Sequence, residues 1–277
     1  MHHFLSTGLP KKIADQITLG LKSSDFDVTN ISIFDNKVID LTQYDIVGIG
    51  SPTYFFRPPF LMMDFVRNLK GLENKSFFVF ILYGTIQGDS GNWIRKELIN
   101  KGAKDLGYFK TYGPDYWLGY IKRGFMFSNL SPTVQELQSA EIFGKTISIR
   151  FTDKSRKTEI FDPSAPFMYR LEKFLVSRPF AKNIYSKTFR VNKNCDNCGI
   201  CVKKCPISNI SQDDGKLKWR SNCLLCATCE LSCPKDAIHC AFDWVIFSPF
   251  MAYNINHAKR KIPFVNVTHK NGKTILI

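Results

Sequence analysis

Two similar cysteine runs occupy residues 195 to 234. They read Cys195-x2-Cys198-x2-Cys201-x3-Cys205-Pro206 and Cys223-x2-Cys226-x2-Cys229-x3-Cys233-Pro234. Eight of the nine cysteines of the chain lie in these runs. A duplicated thiol spacing of this kind indicates a metal-binding module, and the rest of the chain is interpreted around it.

This spacing is typical of thiolates that bind iron–sulfur clusters. Two-residue gaps let three consecutive thiolates surround one cluster. The three-residue gap, followed by proline, turns the fourth thiolate toward a second cluster, because proline biases the preceding cysteine to an extended backbone. The pattern predicts two [4Fe-4S] clusters. The predicted ligands are Cys195, Cys198, Cys201 and Cys233 for cluster I, and Cys223, Cys226, Cys229 and Cys205 for cluster II.

Two other cysteine-rich sites fit the pattern less well. A zinc ribbon uses paired Cys-x2-Cys knuckles and closes at four ligands, without a Cys-Pro appended to a triplet. A disulfide scaffold is usually short, secreted and richer in cysteine. Cys240 lies outside both runs. We interpret it as a small buried apolar residue rather than a ligand.

Composition places the chain among globular proteins. It has 277 residues, of which 44% are hydrophobic and 22% charged, enough for one ordinary domain and a smaller one. The longest purely apolar run, residues 77–83, is far shorter than a membrane span. The N-terminus has no basic region followed by an apolar stretch, so no secretory signal is predicted. Thiolate-bound clusters favour a reducing compartment, and we expect a cytoplasmic protein.

The net charge of +14 is concentrated outside the cysteine runs. Residues 151–193 carry ten Lys or Arg against four Asp or Glu, and residues 244–277 carry five against none. Such an excess is compatible with nucleic acid or with an anionic membrane. Because no nucleic-acid motif accompanies it, we favour a solvated basic face or a surface that docks an acidic redox partner.

The first half of the chain alternates apolar strands with helices, which predicts an α/β domain with a parallel sheet. At most about five residues at the N-terminus are left for a first strand. The further predicted strands are 28–34, 44–50, 76–82 and 106–110, and the predicted helices are 10–22, 58–69, 92–101 and 131–149, the last capped by Ser131. Binding sites in such sheets lie at the carboxyl ends of the strands. The loops predicted at that edge are 6–10, 51–58 and 83–91.

The C-terminal third has three further features. Residues 151–190 form a basic connecting segment, which we expect to pack against both domains. Residues 242–253 are aromatic and apolar. We interpret them as core packing, with an interfacial membrane helix beside a basic patch as the alternative. Asn271-Gly272 between two alternating runs predicts a β-hairpin with a type I′ turn.

This order of parts resembles the EFR-type ferredoxins, found mainly in anaerobes, in which a flavodoxin-like domain precedes a bacterial-type two-cluster ferredoxin. The resemblance covers residues 4 to 243. It rests first on the cysteine runs, then on residues 44–54 with Arg57-Pro58-Pro59, and on the loop 83–85. It implies a doubly wound parallel sheet of order 2-1-3-4-5 with a small α+β 2[4Fe-4S] domain. The predicted domains are 1–150, 151–190, 191–243, and a C-terminal extension with a hairpin, 244–277.

The resemblance also implies FMN. Its phosphate would lie in the turn before the first helix, where the family pattern is close to Gly-Thr-Gly-Asn-Thr and this chain has Ser6-Thr7-Gly8-Leu9-Pro10. Leu9 and Pro10 remove polar donors that phosphate uses, and Lys11 offsets part of that loss by charge. The implied FMN-binding residues are Ser6, Thr7, Gly8, Lys11, Ser51, Pro52, Thr53, Tyr54, Tyr83, Gly84 and Thr85. The candidates to stack on the ring are Tyr54, Phe55, Phe56 and Trp93.

Three functions remain open at this point. The first is an electron-transfer flavoprotein that passes electrons between FMN, the two clusters and a soluble redox protein or reductase; that role requires no catalytic residue. The second is an oxidoreductase with a small acceptor near Tyr54, Tyr83 and the loop 112–117. The third is a flavin-free two-cluster ferredoxin whose flavodoxin-like domain is an interaction scaffold.

Overall fold

The computed structural model describes residues 2–3, 8–35, 40–153, 161–163 and 166–276. The chain divides into two compact units, and each is discontinuous in sequence. Unit 1 contains Met1–Gly113 and Leu130–Lys173, and unit 2 contains Pro114–Asn129 and Phe174–Ile277.

The elements follow one another in the order strand, helix, strand through the first half of the chain. The strands are β1 (His2–His3), β2 (Ile31–Ser32), β3 (Ile46–Pro52), β4 (Ser76–Tyr83), β5 (Lys104–Tyr112), β6 (Phe125–Phe127), β7 (Arg190–Val191), β8 (Ile210–Asp213), β9 (Lys216–Trp219), β10 (Ile238–His239), β11 (Phe264–Lys270) and β12 (Lys273–Leu276). The α-helices are α1 (Leu9–Lys22), α2 (Phe60–Asn68), α3 (Ser90–Asn100), α4 (Leu118–Ile121), α5 (Val134–Thr152), α6 (Phe167–Leu175), α7 (Arg178–Asn183), α8 (Ile200–Lys204), α9 (Thr228–Leu231) and α10 (Ser248–Lys259). Short 3-10 helices cover Tyr185–Lys187, Ala241–Asp243 and Val245–Phe247.

Unit 1 is built on a parallel sheet of order β2-β1-β3-β4-β5. This is the strand order of the flavodoxin-like doubly wound fold, as predicted. β4 is buried from Ser76 to Leu82. A strand covered on both faces is expected to be continuously apolar, which is the pattern of the sequence there.

Helices α1 and α5 cover one face of this sheet and pack closely against each other. A Cβ atom on Gly20 would lie 2.0 Å from the carbonyl oxygen of Glu141, and one on Gly144 would lie 2.2 Å from that of Ile17. Only glycine permits this approach of two helix backbones. It brings Ile13, Ile17 and Ile147 into one buried core with the side chains of β4 and β5.

Several predicted bounds shift in the structure. β2 is limited to Ile31–Ser32, whereas the sequence predicts a strand over 28–34. α5 is capped by Thr133 and not by Ser131: the Thr133 hydroxyl accepts from the Glu136 N–H, and the Glu136 carboxylate accepts from the Thr133 N–H. This reciprocal capping box has the Thr-x-x-Glu spacing expected of it. Ser131 precedes a cis peptide bond to Pro132.

Unit 2 combines the cysteine runs with segments from elsewhere in the chain. β6 pairs antiparallel with β11, which pairs with β12 through the predicted hairpin; Asn271 and Gly272 have the positive φ angles of a type I′ turn. Residues 114–129 therefore pack with unit 2, whereas the predicted boundary at residue 150 groups them with the first domain. Pairing between β6 and β11 is a long-range contact that a boundary drawn along the sequence does not capture.

The segment that follows the cysteine runs is only partly buried. Met251 and Ile255 of α10 are buried, whereas Val245 is 83% exposed and Ile246 71% exposed. The interpretation of residues 242–253 as core packing is thus wrong for this part of the segment. In the described part of the chain, every helix is too short or too polar to traverse a bilayer.

Candidate iron–sulfur centres

A first cavity in unit 2 is lined by Cys195, Cys198, Cys201 and Cys233. Three of these residues come from the first cysteine run and the fourth from the second run. Cys198 is exposed, whereas Cys201 and Cys233 are buried. The cavity thus has four thiols around it and one edge that opens to solvent.

A second cavity is lined by Cys223, Cys226 and Cys229 of the second run and by Cys205 of the first. The backbone of Cys205 is extended, with φ −69° and ψ 114°, as expected for a residue before proline. The structure therefore places the eight predicted ligands in two groups of four, and each group includes one cysteine from the other run. Cys240 is buried and lines neither cavity.

The two runs also share an unusual backbone conformation. Asn197 and Gly199 have φ angles of 59° and 72°, and the equivalent residues of the second run, Leu225 and Ala227, have 57° and 56°. Positive φ is strained for leucine and alanine, which normally avoid this region. Gly199 and Ala227 immediately precede α8 and α9, which carry the third cysteine of each run. The spacing thus produces the same turn twice, with the thiols directed inward.

Backbone and hydroxyl donors surround the sulfur atoms. The Asn209 N–H donates to Cys205 Sγ at 3.2 Å, and the Ala237 N–H donates to Cys233 Sγ at 3.3 Å, four residues after each cysteine. The Thr228 hydroxyl donates to Cys226 Sγ at 3.3 Å. Donors of this kind stabilise a thiolate and tune the potential of a cluster bound to it.

Burial acts in the opposite direction on the free thiols. It raises the pKa of Cys223 to about 12, and it also raises the pKa values of Cys201, Cys226 and Cys229. Buried thiols without a metal are therefore neutral at pH 7, whereas coordination to a metal deprotonates them. Buried thiols with hydrogen-bond donors around them therefore fit a bound metal group, whose positive charge compensates the charge of the thiolates.

In the described part of the chain, one three-residue group has possible ligand atoms that all lie within 4.8 Å of one another: Glu230, His239 and Asp243. This group contains no cysteine and lies outside the linings of the two cavities.

A lysine occupies the group formed by Glu230 and Asp243. The Lys122 ammonium contacts the Glu230 carboxylate and donates to Asp243 Oδ1 at 2.5 Å. Burial raises the pKa of Glu230 to about 7, against the effect of Lys122. Burial lowers the pKa of Lys122, but the two carboxylates outweigh this and raise it overall. Lys122 therefore balances the two carboxylates. It lies more than 100 residues from Glu230 along the chain, so this contact left no signal in the sequence.

The residues proposed for flavin binding begin side by side at the carboxyl edge of the unit 1 sheet. Pro52 pairs with Leu82 in the parallel register, and the Thr53 N–H donates to the Leu82 carbonyl at 2.8 Å. The loops after β3 and β4 are therefore neighbours, as predicted. Ser6 and Thr7 lie outside the described residues.

The polar groups of these loops make contacts within unit 1. The Thr53 hydroxyl donates to the Ser90 hydroxyl at 2.9 Å, and the Ser51 hydroxyl donates to the Pro52 carbonyl at 2.8 Å. The Asp89 N–H donates to the Phe56 carbonyl at 3.0 Å. The two loops are thus hydrogen-bonded to each other.

Three of the aromatic candidates for ring stacking also have protein neighbours. The Phe56 ring lies 5.1 Å from the ring of Tyr169 in α6, and the Arg67 guanidinium lies 5.3 Å from the Trp93 ring. Tyr54 forms a short backbone bridge with Arg57. Burial lowers the pKa of Arg57 to about 10, although Asp89 opposes the shift.

The loop 112–117, proposed as part of a substrate site, divides between the two units. In unit 1 the Tyr112 ring lies 4.7 Å from Tyr83, whose pKa burial raises above its usual range. In unit 2 the Trp117 ring packs edge-on against Phe242 at 4.9 Å. Tyr112 and Trp117 therefore belong to separate cores.

One segment of the chain matches a known protein family. Residues 194–238 match the family model described as 4Fe-4S dicluster domain. No curated protein shows a significant match. Among solved structures, the chain is similar to a flavodoxin from the domain Archaea, with 21% identity over 55% of this chain and 96% of that one and a TM-score of 0.43. It is also similar to flavodoxin 1 of Bacillus cereus, with 17% identity over 57% and 97% and a TM-score of 0.43.

The rubredoxin oxygen:oxidoreductase of the anaerobe Desulfovibrio gigas is a further match, with 16% identity, a TM-score of 0.42, and coverage of 56% of this chain and 36% of that one. The assignment of the flavodoxin-like fold rests on the strand order and register of unit 1 and not on these similarities.

Proposed function

We propose that the protein transfers electrons through two [4Fe-4S] clusters held by unit 2. The observation that carries this proposal is the separation of the eight cysteines into two four-thiol cavities with crossed ligands. Cluster I is bound by Cys195, Cys198, Cys201 and Cys233, and cluster II by Cys205, Cys223, Cys226 and Cys229. The clusters supply one-electron redox chemistry, and the chain positions them and sets their potentials through burial and N–H···S hydrogen bonds.

Cluster I is the centre that exchanges electrons with an external partner in this proposal. Its ligand Cys198 is exposed, whereas none of the four ligands of cluster II is exposed. The partner is a soluble redox protein or a reductase, in a reducing cytoplasm. Exchange with such a partner requires no proton-transfer residue.

Anaerobic purification tests this proposal. The protein is expected to contain about eight iron atoms and about eight acid-labile sulfides per chain. It should accelerate the reduction of cytochrome c by photoreduced deazaflavin, and it should return to its starting spectrum after each cycle. A protein that contains zinc, or that is reduced but passes no electrons to cytochrome c, would contradict the proposal.

FMN is the cofactor that the strand order of unit 1 favours, but the described residues do not fit its phosphate. Pro10 lies in the first turn of α1, where its missing N–H removes a donor. Lys11, assigned to the phosphate, donates instead to Asp15 at 2.6 Å. We therefore derive no electron-transfer step through a flavin, and FMN binding stays a prediction.

Restoring hydrogen-bond donors at residues 9 and 10 should reveal whether the turn before α1 limits FMN binding. The double variant Leu9→Asn/Pro10→Thr is expected to bind FMN about ten- to a hundredfold more tightly than the wild type, because each charge-assisted hydrogen bond contributes about 1.5–3 kcal/mol. Titration of FMN fluorescence under anaerobic conditions measures the change. Leu19→Asn, on an exposed part of the same helix, is the matched control and should have no effect. Stoichiometric FMN in the purified wild type would show that the turn is sufficient as it stands.

A further inference from the structure

An exposed apolar segment in unit 2 has no role in cluster binding. Trp244 is 44% exposed, Val245 83% and Ile246 71%, although all three are large apolar side chains. The segment includes the 3-10 helix Val245–Phe247, with the Phe247 N–H donating to the Trp244 carbonyl at 3.1 Å. These three adjacent apolar residues are held by a 3-10 helix and exposed to solvent. We call this apolar patch the 244–246 wedge.

Aromatic ring contacts anchor the wedge on both sides, around the buried Tyr185. The Phe242 ring, just before it, stacks on Tyr185 at 4.9 Å, and the Phe247 ring, at its end, lies 5.8 Å from Phe242 and 6.2 Å from Tyr185. Ile184, next to Tyr185, is 46% exposed and enlarges the apolar surface at this aromatic cluster. Because both ends are fixed, the wedge cannot fold its side chains inward without breaking these ring contacts.

The segments that flank the wedge in sequence and in the aromatic cluster are mostly cationic. Residues 174–193 contain five Lys or Arg and no Asp or Glu, and residues 244–277 contain five and none; Asp243, directly before the wedge, is paired with Lys122. Lys182 and Lys187, on either side of Tyr185, are exposed. An exposed apolar patch with lysine side chains nearby complements a surface whose outer layer is anionic and whose interior is apolar.

We propose that the 244–246 wedge inserts into the interface of an anionic lipid bilayer. Binding of this kind depends on buried apolar area together with attraction of Lys and Arg to anionic headgroups. Tryptophan favours the headgroup level of a membrane, and lysine can extend its charge toward the phosphates. A protein partner is expected to form several hydrogen bonds with the patch, whereas its three side chains offer a single donor, the Trp244 indole N–H.

Flotation of the cluster-containing protein with lipid vesicles tests this inference. The wild type should float with vesicles of phosphatidylcholine mixed with phosphatidylglycerol, less with phosphatidylcholine alone, and less as the salt concentration rises. Val245→Ser/Ile246→Ser should lower the partition coefficient about tenfold or more, because two aliphatic side chains no longer enter the lipid. Lys182→Glu/Lys187→Glu should lower it to a similar extent on anionic vesicles only.

Two controls keep the test specific. Ile142→Ser changes an aliphatic residue of α5 that is 61% exposed, and it should leave flotation unchanged. Each variant should retain the iron content and the visible spectrum of the wild type, which shows that unit 2 is intact. Absence of flotation, or flotation that Val245→Ser/Ile246→Ser does not reduce, would overturn the proposal. So would a loss confined to electron transfer with an acidic redox protein, or self-association through the wedge in size-exclusion chromatography.

Discussion

Replacement of Cys205 by alanine is expected to remove cluster II and leave about four of the about eight iron atoms. Cys205 belongs to the first run but lines the cavity formed by Cys223, Cys226 and Cys229. Its loss leaves that cluster with three ligands, whereas cluster I keeps all four. The measurements are iron per chain and the electron paramagnetic resonance spectrum of the reduced protein, in which the coupling between two clusters should disappear.

Double variants distinguish the crossed arrangement from one cluster per run. Cys205→Ala/Cys226→Ala should still retain about four irons, because both ligands serve the same cluster. Cys205→Ala/Cys201→Ala should retain almost none, because each substitution removes a ligand of a different cluster. If each run bound its own cluster, the two results would be exchanged, so the pair of iron assays decides between the arrangements.

Cys240 provides the matched control for these variants. It is as buried as Cys201, Cys229 and Cys233, but it lines neither cavity, and its thiol is directed toward Glu230 Oε2 at 3.8 Å. Cys240→Ser keeps a donor toward that carboxylate and should retain the full iron content. A loss of iron from this variant equal to that of Cys205→Ala would mean that iron loss reports on general unfolding rather than on ligation.

The cysteine runs show which parts of the site local sequence can predict. The two cavity linings contain the four-cysteine groups that the spacing and the Cys-Pro step of each run predict, and ligation by these groups stays a prediction. The apolar runs of β3 and β4 likewise predicted strands that are buried on both faces. These features depend on residues that are close in sequence, whereas the strand order of unit 1 was implied by the family resemblance.

Features that depend on distant contacts were missed. Lys122 reaches Glu230 and Asp243 only because β6 pairs with β11 and brings residues 114–129 into unit 2. The exposure of Val245 and Ile246 was also missed, since an apolar run looks the same whether it is buried or anchored at the surface. The cap at Thr133, in contrast, has a local signal, because the Thr-x-x-Glu spacing of a capping box is present in the sequence beside Ser131-Pro132.

A buried ion pair in unit 1 makes the fold of that unit sensitive to a single charge. Arg95 of α3 is fully buried and donates from Nε to Asp105 Oδ2 of β5 at 2.7 Å. The guanidinium lies 4.4 Å from the Phe161 ring and 5.3 Å from the Tyr108 ring. The second oxygen of Asp105 accepts from the Gly107 N–H at 3.0 Å. The pair thus connects the helix, the edge strand and the segment 161–163.

Asp105→Asn is expected to lower the free energy of unfolding of unit 1 by about 3–5 kcal/mol, because it keeps the shape but leaves a buried guanidinium without its carboxylate. Arg95→Met/Asp105→Asn should recover much of this loss, since a buried ion pair that is replaced on both sides costs little. Urea unfolding followed by circular dichroism measures the change, and the visible absorbance of the clusters reports on unit 2 in the same sample. Glu141→Gln, which removes an exposed pair with Lys145 at 2.7 Å, should cost no more than about 0.5 kcal/mol. A double variant less stable than Asp105→Asn would show that the guanidinium stabilises unit 1 mainly by packing between the two rings.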